Sequence, residues 1–548
     1  MTLWSFMITP WTNVALSSHH WSYGQNFFFL IDGEAGAESL PGQWPRKRPA
    51  VSPIAFTLSA SGSSDTAQGK NKAEEAESDE GVFWDGELRQ TAIQFIKAKR
   101  PVWNLSEIIG DRGQILQAIV SSYVVEIDWL RSFFLPSTPL VLVDHPAQAG
   151  SGIRSPTVQE VRPNMIRMTP FFRSAFGVQH MKFMLIFYKS GRLRIVISTA
   201  NLVAYDWCDI ENSAWVQDVP RRTITIAHDA KADDFPTTLE RVLECMNVAP
   251  ALASFLYNGH PELPLQAVRP GALRTRWDFS RVQAHLVASI AGKHEGWEDV
   301  LRVGHTALWA RGKYASTSPD GPLAPYTCAD SDRGAQGSSI GTYSTQWLNE
   351  FYTSAAGKSL EDWLDMPKTR RAKLPWPNVQ IVYPTLEWVR KAVGGEKGGG
   401  TLFCRRKQWE GAKFPQKLFV QSRSKQGRVL MHSKMIIATL DNPNVASDGG
   451  GGSESETEQS DDELVAEKNP EARVVGWTYV GSHNFTPSAW GTLSGSKLAP
   501  VMNIANYELG VVLPLHSEAE AERASCFERP LKKYSEEDLP WMQEESQV

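Results

Sequence analysis

One pattern of polar residues occurs twice in this chain, and it restricts the possible folds more than any other sequence feature. Each copy has a His, one residue, a Lys, two apolar runs and then an Asn: His180, Lys182 and Asn201 in the first copy, and His432, Lys434 and Asn484 in the second. A Trp follows each Asn by six positions, at Trp207 and Trp490. The two histidines are 252 residues apart in a chain of 548, so each copy has room for a domain of its own.

The two copies differ in length between the His and the Asn. The separation is 21 residues in the first copy and 52 in the second, an excess of 31. The second copy contains an acidic segment rich in Gly, Ser and Glu, residues 441–473, which is about as long as that excess. We therefore predict that residues 441–473 are a disordered surface insertion between two strands of the second copy.

The charge of the chain permits an anionic ligand once two acidic segments are set aside. The net charge is −5, but residues 61–84 carry −4 and residues 441–473 carry −8, which leaves +7 on the remainder. The composition of residues 1–81 predicts a largely disordered N-terminal extension. Within it, the run Arg46-Lys47-Arg48 beside prolines predicts a nuclear localisation signal, and hence a protein of the nucleus.

Several classes of protein and site are disfavoured. The five cysteines are scattered without a C-x-x-C motif, which argues against a disulfide framework and a zinc knuckle. No cluster of acidic, His or Cys residues has metal-ligand spacing, so we expect neither a metal nor a cofactor. No apolar run approaches ~18 residues, so a membrane span is not expected.

Short apolar runs alternate with helical patterns over most of the chain. Strands are predicted at residues 139–143, 183–188, 193–197, 379–383, 435–439, 475–480 and 509–513. Helices are predicted at residues 114–120, 238–245 and 281–290. Buried strands that alternate with helices predict an α/β fold.

The repeated motif has the chemistry of a phosphate site. A His-x-Lys segment at the start of a strand places both side chains on one face, because side chains alternate with a period of two. The Asn follows the next strand, where a loop can turn it toward the same point. A Lys supplies positive charge, an Asn supplies N–H donors, and an imidazole can attack phosphorus or transfer a proton. If the two copies face each other across a domain interface, all six side chains surround one phosphate.

The repeated His-x-Lys motif resembles that of the phospholipase D superfamily, whose members form a phosphohistidine intermediate. Most of that superfamily has an Asp five residues after the Lys, where this chain has Phe187 and Thr439. The remaining His-Lys-Asn form resembles the tyrosyl-DNA phosphodiesterase family, from about residue 82 to about residue 541. The resemblance includes five flanking segments: residues 175–177, 201–207, 338–341, 482–491 and 507–511.

The resemblance implies both a fold and an activity. The fold is two similar phospholipase-D-like α/β domains, residues 82–270 and 271–548, packed about a pseudo-two-fold axis with the active site at their interface. The activity is that of a metal-independent DNA-repair phosphodiesterase, which hydrolyses the 3′-phosphotyrosyl bond between DNA and a topoisomerase I tyrosine or peptide and leaves a 3′-phosphate. The implied partners are single- or double-stranded DNA 3′ ends and the attached peptide, and the protein is expected to be a monomer.

The resemblance also implies a role for each site residue. His180 is the nucleophile, and His432 is the general acid that protonates the leaving tyrosine and then the base that activates water. Charge on the phosphoryl oxygens is stabilised by Lys182, Lys434, Asn201 and Asn484. Glu508 and Asn212 are expected to orient the histidines, although Asn212 is one methylene shorter than the Gln of the family. DNA contacts are expected from Phe176, Ser339 and Thr342.

Two other functions remain open from the sequence. The first is another phosphodiesterase of the superfamily, either a nuclease or a phospholipase, although both Asp positions are lost. The second is a non-catalytic phosphate-binding scaffold, although both His-x-Lys pairs are intact. Hydrolysis of a 3′-phosphotyrosyl oligonucleotide, compared with that of phosphatidylcholine, distinguishes the first alternative, and detection of a phosphohistidine adduct by mass distinguishes the second.

Overall fold

The structure is a computed structural model of the chain. It describes residues 81–94, 96–146, 154–173, 177–257, 272–308, 333–439 and 474–546. The predicted N-terminal extension up to residue 80, the acidic insertion 441–473 and the predicted boundary at residue 270 lie outside these ranges. The described residues all belong to one compact unit, Glu77–Val548.

Three β-sheets form the framework of this unit. The first nine strands are β1 (Glu87–Thr91), β2 (Val102–Trp103), β3 (Ile115–Ser121), β4 (Leu140–Val143), β5 (Thr157–Arg162), β6 (Met165–Thr169), β7 (Phe183–Tyr188), β8 (Leu193–Ser198) and β9 (Ser213–Val219). The later strands are β10 (His285–Ser289), β11 (Gly292–Glu295), β12 (Arg333–Gln336), β13 (Gln380–Tyr383), β14 (Phe419–Gln421), β15 (Met435–Thr439), β16 (Gly476–Gly481), β17 (Thr492–Ser496), β18 (Ala499–Ile504) and β19 (Glu508–Leu515).

Helices connect the strands, and most of them are short. The α-helices are Leu105–Ile109, Ile127–Arg131, Ala204–Cys208, Phe235–Cys245, Val248–Tyr257, Ala272–Arg276, Trp297–Val300, Thr345–Ala355, Leu360–Asp365, Lys368–Arg371, Leu386–Lys391, Gly395–Gly398, Arg406–Trp409, Pro487–Trp490 and Glu518–Ala524. Single 3-10 turns are Arg112–Gln114, Gly399–Thr401, Gln416–Leu418 and Gln543–Glu545. Among the residues that the structure describes, no helix is long and apolar enough to cross a membrane.

Two of the sheets repeat one arrangement of seven strands. The first sheet has the order β2-β1-β9-β8-β7-β3-β4-β6-β5, and the second has the order β10-β19-β16-β15-β12-β13-β14. We match β7, which follows His180, with β15, which follows His432. The seven neighbouring strands β1-β9-β8-β7-β3-β4-β6 of the first sheet then correspond, in that order, to β10-β19-β16-β15-β12-β13-β14 of the second. Each of the six neighbouring pairs has the same direction in both sheets, four antiparallel and two parallel. The α/β fold class is confirmed, whereas the domain boundary and the pseudo-two-fold axis stay predictions.

The two large sheets share one apolar core. The strands after the two His-x-Lys motifs are rich in β-branched and aromatic residues, and every residue of β7 and β8 is buried. A single continuous cluster includes Leu185 and Ile195 of the first sheet and Ile437, Val480 and Val511 of the second. Because the two sheets pack on this shared core, the strand ends that carry the two His-x-Lys motifs lie beside each other.

Two predicted helices are strands in the structure. Residues 114–120 form most of β3, which lies between β4 and β7, and residues 281–290 contain β10, which pairs with β19. In both cases a short apolar run has the composition of either element, and the choice depends on neighbours that are distant in sequence. The seven predicted strands and the helix at residues 238–245 are confirmed.

Candidate active site

Two backbone hydrogen bonds join the repeated motifs across the two sheets. The N–H of His180 donates to the carbonyl oxygen of Tyr507 at 2.9 Å, and the N–H of His432 donates to the carbonyl oxygen of Glu211 at 2.8 Å. Tyr507 directly precedes β19, and Glu211 lies just before β9. Each His-x-Lys segment therefore pairs with a strand start of the other copy, and this pairing brings the two motifs into one site.

His180 is held by two acceptors from the second copy. Its Nδ1 atom lies 2.8 Å from Oε2 of Glu508 and 3.0 Å from the carbonyl oxygen of Ser482. Because both partners only accept in this arrangement, Nδ1 carries the proton and Nε2 presents its lone pair. Burial lowers the pKa of His180, although Glu508 opposes that shift, so the ring is neutral at neutral pH. A neutral imidazole with an open Nε2 is competent as a nucleophile.

Glu508 is fully buried and charged. Burial raises the pKa of its carboxyl, but the neighbouring His180 and Lys182 outweigh burial and lower the pKa to about 2. The hydroxyl of Ser482 donates to Oε2 at 2.6 Å, and Nδ2 of Asn506 donates to Oε1 at 3.1 Å. The structure thus places the predicted orienting carboxylate directly against His180.

His432 is held by two acceptors of the first copy. Its Nδ1 atom lies 3.2 Å from Oδ1 of Asn212 and 3.2 Å from Oδ2 of Asp206. Burial lowers the pKa of His432 to about 4, and the positive charge of Lys434 adds to the shift, while Asp206 opposes it. As in His180, the proton lies on Nδ1 and the lone pair of Nε2 is available for proton transfer.

Asn212 occupies the place in the first sheet that Glu508 occupies in the second. Each follows by one residue the carbonyl group that accepts the N–H of a motif histidine. Asn212 is fixed by two further bonds: its Nδ2 donates to the carbonyl oxygen of Asp206 at 2.7 Å, and its Oδ1 accepts from the hydroxyl of Thr199 at 2.8 Å. The shorter side chain therefore does reach the histidine.

The residue that sequence reasoning missed is Asp206. It lies within one of the five flanking segments, residues 201–207. Its buried carboxylate accepts hydrogen bonds from the backbone N–H of Asn201 at 2.6 Å and from Nδ2 of Asn201 at 2.9 Å, and its Oδ2 lies 3.2 Å from Nδ1 of His432. An acidic residue next to the buried Trp207, on the short helix Ala204–Cys208, was the available signal. A buried carboxylate needs a hydrogen-bond donor or a positive charge beside it. The residues next to Asp206 in the sequence supply no positive charge, so its partner had to come from elsewhere in the chain.

The two lysines are buried and point back toward their own motif. Nζ of Lys182 donates to the carbonyl oxygen of His180 at 2.9 Å, and Nζ of Lys434 donates to that of His432 at 2.6 Å. Burial lowers the pKa of Lys182 to about 8 and that of Lys434 well below its usual range, although Glu508 and Asp206 oppose both shifts. Each ammonium group lowers the pKa of both histidines, so the four side chains share one electrostatic environment.

The two asparagines are oriented by their carbonyl oxygens. Oδ1 of Asn201 accepts from the N–H of Val124 at 3.4 Å. Oδ1 of Asn484 accepts from the N–H and the hydroxyl of Ser338, at 3.2 and 3.0 Å, and from the N–H of Ser339 at 3.1 Å. The amide group of Asn484 is thereby turned so that its N–H bonds point away from this loop.

The predicted DNA contacts have different positions. Ser339 is half-buried beside Asn484 and so lies in the site. Thr342 is exposed and accepts from Nε2 of Gln408 at 3.2 Å. Phe176 lies outside the described residues. The roles of all three in DNA binding stay predictions.

His483 adjoins the site without sharing the geometry of the other two histidines. Its Nε2 is 3.0 Å from the hydroxyl of Ser289, its Nδ1 contacts the hydroxyl of Tyr479, and its ring stacks on Trp490 with centroids 4.2 Å apart. Burial lowers its pKa to about 3. Both ring nitrogens are occupied, which agrees with a packing role for His483.

Taken together, the site offers two imidazoles with open Nε2 atoms, two ammonium groups and two oriented carboxamides. Within the described ranges, no group of three or more His, Cys, Asp and Glu side chains is placed to hold a metal ion. Such a set can bind a phosphodiester, supply a nucleophile and transfer protons.

Sequence comparisons identify relatives of this chain. A sequence model described as tyrosyl-DNA phosphodiesterase matches residues 88–543. Tyrosyl-DNA phosphodiesterase 1 of Arabidopsis thaliana is 26% identical over 423 residues, which cover 76% of this chain and only 60% of that protein. Tyrosyl-DNA phosphodiesterase 1 of Drosophila melanogaster is 24% identical over 471 residues, which cover 80% of this chain and 70% of that protein.

Solved structures show the same fold. The crystal structure of the yeast tyrosyl-DNA phosphodiesterase has a TM-score of 0.50 at 14% identity and covers 83% of this chain and 100% of its own. A mutant of yeast tyrosyl-DNA phosphodiesterase 1 has a TM-score of 0.54 at 14% identity, covering 83% of this chain and 99% of its own. At this level of identity, the likeness shows a shared fold.

Proposed function

This chain belongs to the tyrosyl-DNA phosphodiesterase family, and on that premise we propose that it hydrolyses the phosphodiester bond between the 3′ end of DNA and a tyrosine. The observation that carries the proposal is the meeting of two His-Lys-Asn sets in one buried site, where Nδ1 of each histidine faces a carboxylate. The substrate tyrosine belongs to topoisomerase I or to a peptide left from it, and the reaction serves DNA repair in the nucleus.

The first step forms a phosphohistidine. Nε2 of His180 attacks phosphorus in line with the tyrosine oxygen, a P–N bond forms, and the P–O bond to the tyrosine breaks. The tyrosine oxygen takes the proton from Nε2 of His432. The bound phosphodiester brings a negative charge into the site, which favours the protonated form of His432 and offsets the low resting pKa of that ring.

The second step releases the DNA. His432, now neutral, takes a proton from water while the water oxygen attacks phosphorus. The P–N bond breaks, the lone pair returns to Nε2 of His180, and the DNA leaves with a 3′-phosphate. His432 ends the cycle protonated, so protons balance over the two steps.

The charges of the site stabilise the phosphoryl oxygens in both steps. Lys182 and Lys434 supply positive charge from buried positions, where electrostatic interactions are stronger than in water. Asn201 and Asn484 supply N–H donors. The +7 charge of the chain outside its two acidic segments attracts the DNA backbone, and Ser339, Thr342 and Phe176 are the proposed contacts along the strand.

The proposal is tested with a labelled oligonucleotide that carries a 3′-phosphotyrosine, in the presence of EDTA. We expect release of tyrosine and a 3′-phosphate product from the wild-type chain. Two matched substrates accompany it: the same oligonucleotide with a 3′-hydroxyl, and phosphatidylcholine vesicles.

Each result identifies one function. Cleavage of the 3′-phosphotyrosyl oligonucleotide alone supports the proposal. Degradation of the 3′-hydroxyl oligonucleotide supports a nuclease, and release of choline supports a phospholipase. Binding of the oligonucleotide without any cleavage supports a phosphate-binding scaffold and overturns the proposal.

A further inference from the structure

We propose that Asp206 is a positioning residue for His432, and that its carboxylate provides for His432 the charge that Glu508 provides for His180. The inference rests on the proposed function, because it assigns Asp206 to the proton transfers of His432. It also defines how the two copies of the motif differ.

The strand arrangement explains why a second carboxylate is needed. Glu508 and Asn212 occupy corresponding positions, each one residue after the carbonyl group that accepts the N–H of a motif histidine. Glu508 brings a negative charge to Nδ1 of His180, at 2.8 Å. Asn212 brings only a neutral carboxamide to Nδ1 of His432, at 3.2 Å. The strand register therefore leaves His432 without the charge that the other histidine has.

Asp206 supplies this charge from a different element. It lies on the helix Ala204–Cys208, and its Oδ2 is 3.2 Å from Nδ1 of His432. The same oxygen accepts two hydrogen bonds from Asn201, at 2.6 Å from the backbone N–H and 2.9 Å from Nδ2. Asp206 thus fixes a phosphate-binding Asn of the first copy and the acid–base His of the second with one oxygen atom.

The charged groups around His432 make this carboxylate decisive for proton uptake. Lys434 and Lys182 both act against a positive charge on the ring, and burial acts in the same direction. Asn212 is neutral, so Asp206 is the neighbouring group that favours the imidazolium form. Without Asp206, His432 binds a proton less readily, and the neutral ring has less preference for carrying its proton on Nδ1.

The first test measures the protonation of the His432 ring. The variant Asp206→Asn keeps an oxygen for the three donors and removes the charge. Nitrogen-15 NMR of protein labelled at its histidines gives the titration midpoint and the tautomer of the His432 ring. The signals of His432 are assigned by their loss in His432→Asn. We expect a midpoint below that of the wild type in Asp206→Asn, and no change in Asp209→Asn, whose carboxylate is exposed three residues further on.

A double variant makes the test independent of folding effects. The double variant Asp206→Asn and Asn212→Asp removes the carboxylate from position 206 and places one of the same length at position 212, which corresponds to Glu508 in the second copy. We expect the double variant to return the midpoint toward the wild-type value. Equal midpoints in wild type, single variant and double variant, with wild-type thermal unfolding, would overturn the inference.

The second test measures the reaction on the 3′-phosphotyrosyl oligonucleotide. We expect hydrolysis of the covalent adduct to slow by about 10²-fold in Asp206→Asn, within the range of general acid–base catalysis, and the adduct to accumulate. Asp209→Asn should behave as wild type. A wild-type chain without activity overturns the proposed function, while the NMR midpoints still decide whether Asp206 acts on His432.

Discussion

Oε2 of Glu508 lies 2.8 Å from Nδ1 of His180, although 328 residues separate them in the sequence. The contact joins the first residue of β19, in the second sheet, to the segment before β7, in the first. The histidine that we propose as the nucleophile is therefore oriented by a charged residue of the other copy. The reaction that we propose depends on the correct packing of the two sheets, and the predictions below follow from that geometry.

Replacing His180 by Ala should abolish turnover and the covalent adduct, because its Nε2 is the atom that we propose attacks phosphorus. The measurement is a denaturing gel of the reaction with a labelled 3′-phosphotyrosyl oligonucleotide. His228→Ala, a change at an exposed histidine, is the matched control and should leave both unaffected. An adduct that persists in His180→Ala and maps to His432 would show that the two roles are reversed.

Replacing His432 by Asn should accumulate the DNA–enzyme adduct through His180. A tyrosine phenol has a pKa near ~10, so phenolate is a tolerable leaving group without assistance, whereas water is a poor nucleophile without a base. A single-turnover experiment on a denaturing gel measures the adduct, and a nitrophenyl ester should form it faster. If both substrates stay intact and no adduct forms, His432 is not the acid–base residue.

With 3′-phosphotyrosyl DNA, whose phenolate can leave without the proton of His432, the pH dependence of kcat/KM should show a rise at acidic pH and a fall above about pH 8. Burial lowers the pKa of His180 from its ordinary value of 6.5, so the neutral, nucleophilic ring is already the main form at neutral pH. Burial also lowers the pKa of Lys182 to about 8, and the site loses that positive charge at higher pH. Initial rates from about pH 5 to about pH 10 measure both limbs. A rate that still increases between pH 8 and pH 10 contradicts the assignment of Lys182.

His432 should make the fold less stable in acid. Its pKa is about 4 in the folded chain and 6.5 as an ordinary value, so the unfolded chain binds more protons between these limits. The free energy of unfolding therefore has its full value above about pH 6.5, and this contribution from His432 is lost as the pH falls toward 4. One pKa unit corresponds to about 1.4 kcal/mol, so the whole effect is a few kcal/mol.

Urea unfolding at neutral pH and near pH 4.5 measures this effect. The difference in unfolding free energy between wild type and His432→Asn should become smaller at the lower pH, because the variant lacks the buried imidazole. His228→Asn, a change at an exposed histidine, is the matched control and is measured at the same two pH values. A difference for His432→Asn that does not depend on pH would contradict the low pKa of His432.

Deleting residues 453–467 should leave turnover nearly unchanged. These residues belong to the acidic insertion, and the strands that flank it are already paired at their ends, where Thr439 is opposite Gly476. Removing acidic residues also reduces repulsion of DNA, an effect that salt screens. Activity and thermal unfolding of the deletion variant are the measurements. Loss of folding would contradict the prediction that the segment is an insertion between two complete strands.

Much of the site could be predicted from the sequence because the repeat made it visible. His180, Lys182 and Asn201 recur with their spacing as His432, Lys434 and Asn484, and the excess residues of the second copy have a different composition. The strands after each motif were recognisable because they are continuous apolar runs buried on both faces. Glu508 and Asn212 were expected from the resemblance, and the structure places both against the histidines.

By itself, the sequence determined the two polar motifs, the strands that follow them and the α/β class, because these depend on local spacing and apolar pattern. Tertiary structure alone decided that β3 and β10 are strands, since their partners β7 and β19 lie far away in the chain. It also decided that the carboxylate of Asp206 faces Nδ1 of His432. Asp206 and His432 meet because two sheets pack on a shared core, and no short-range pattern records a contact between residues more than 200 positions apart.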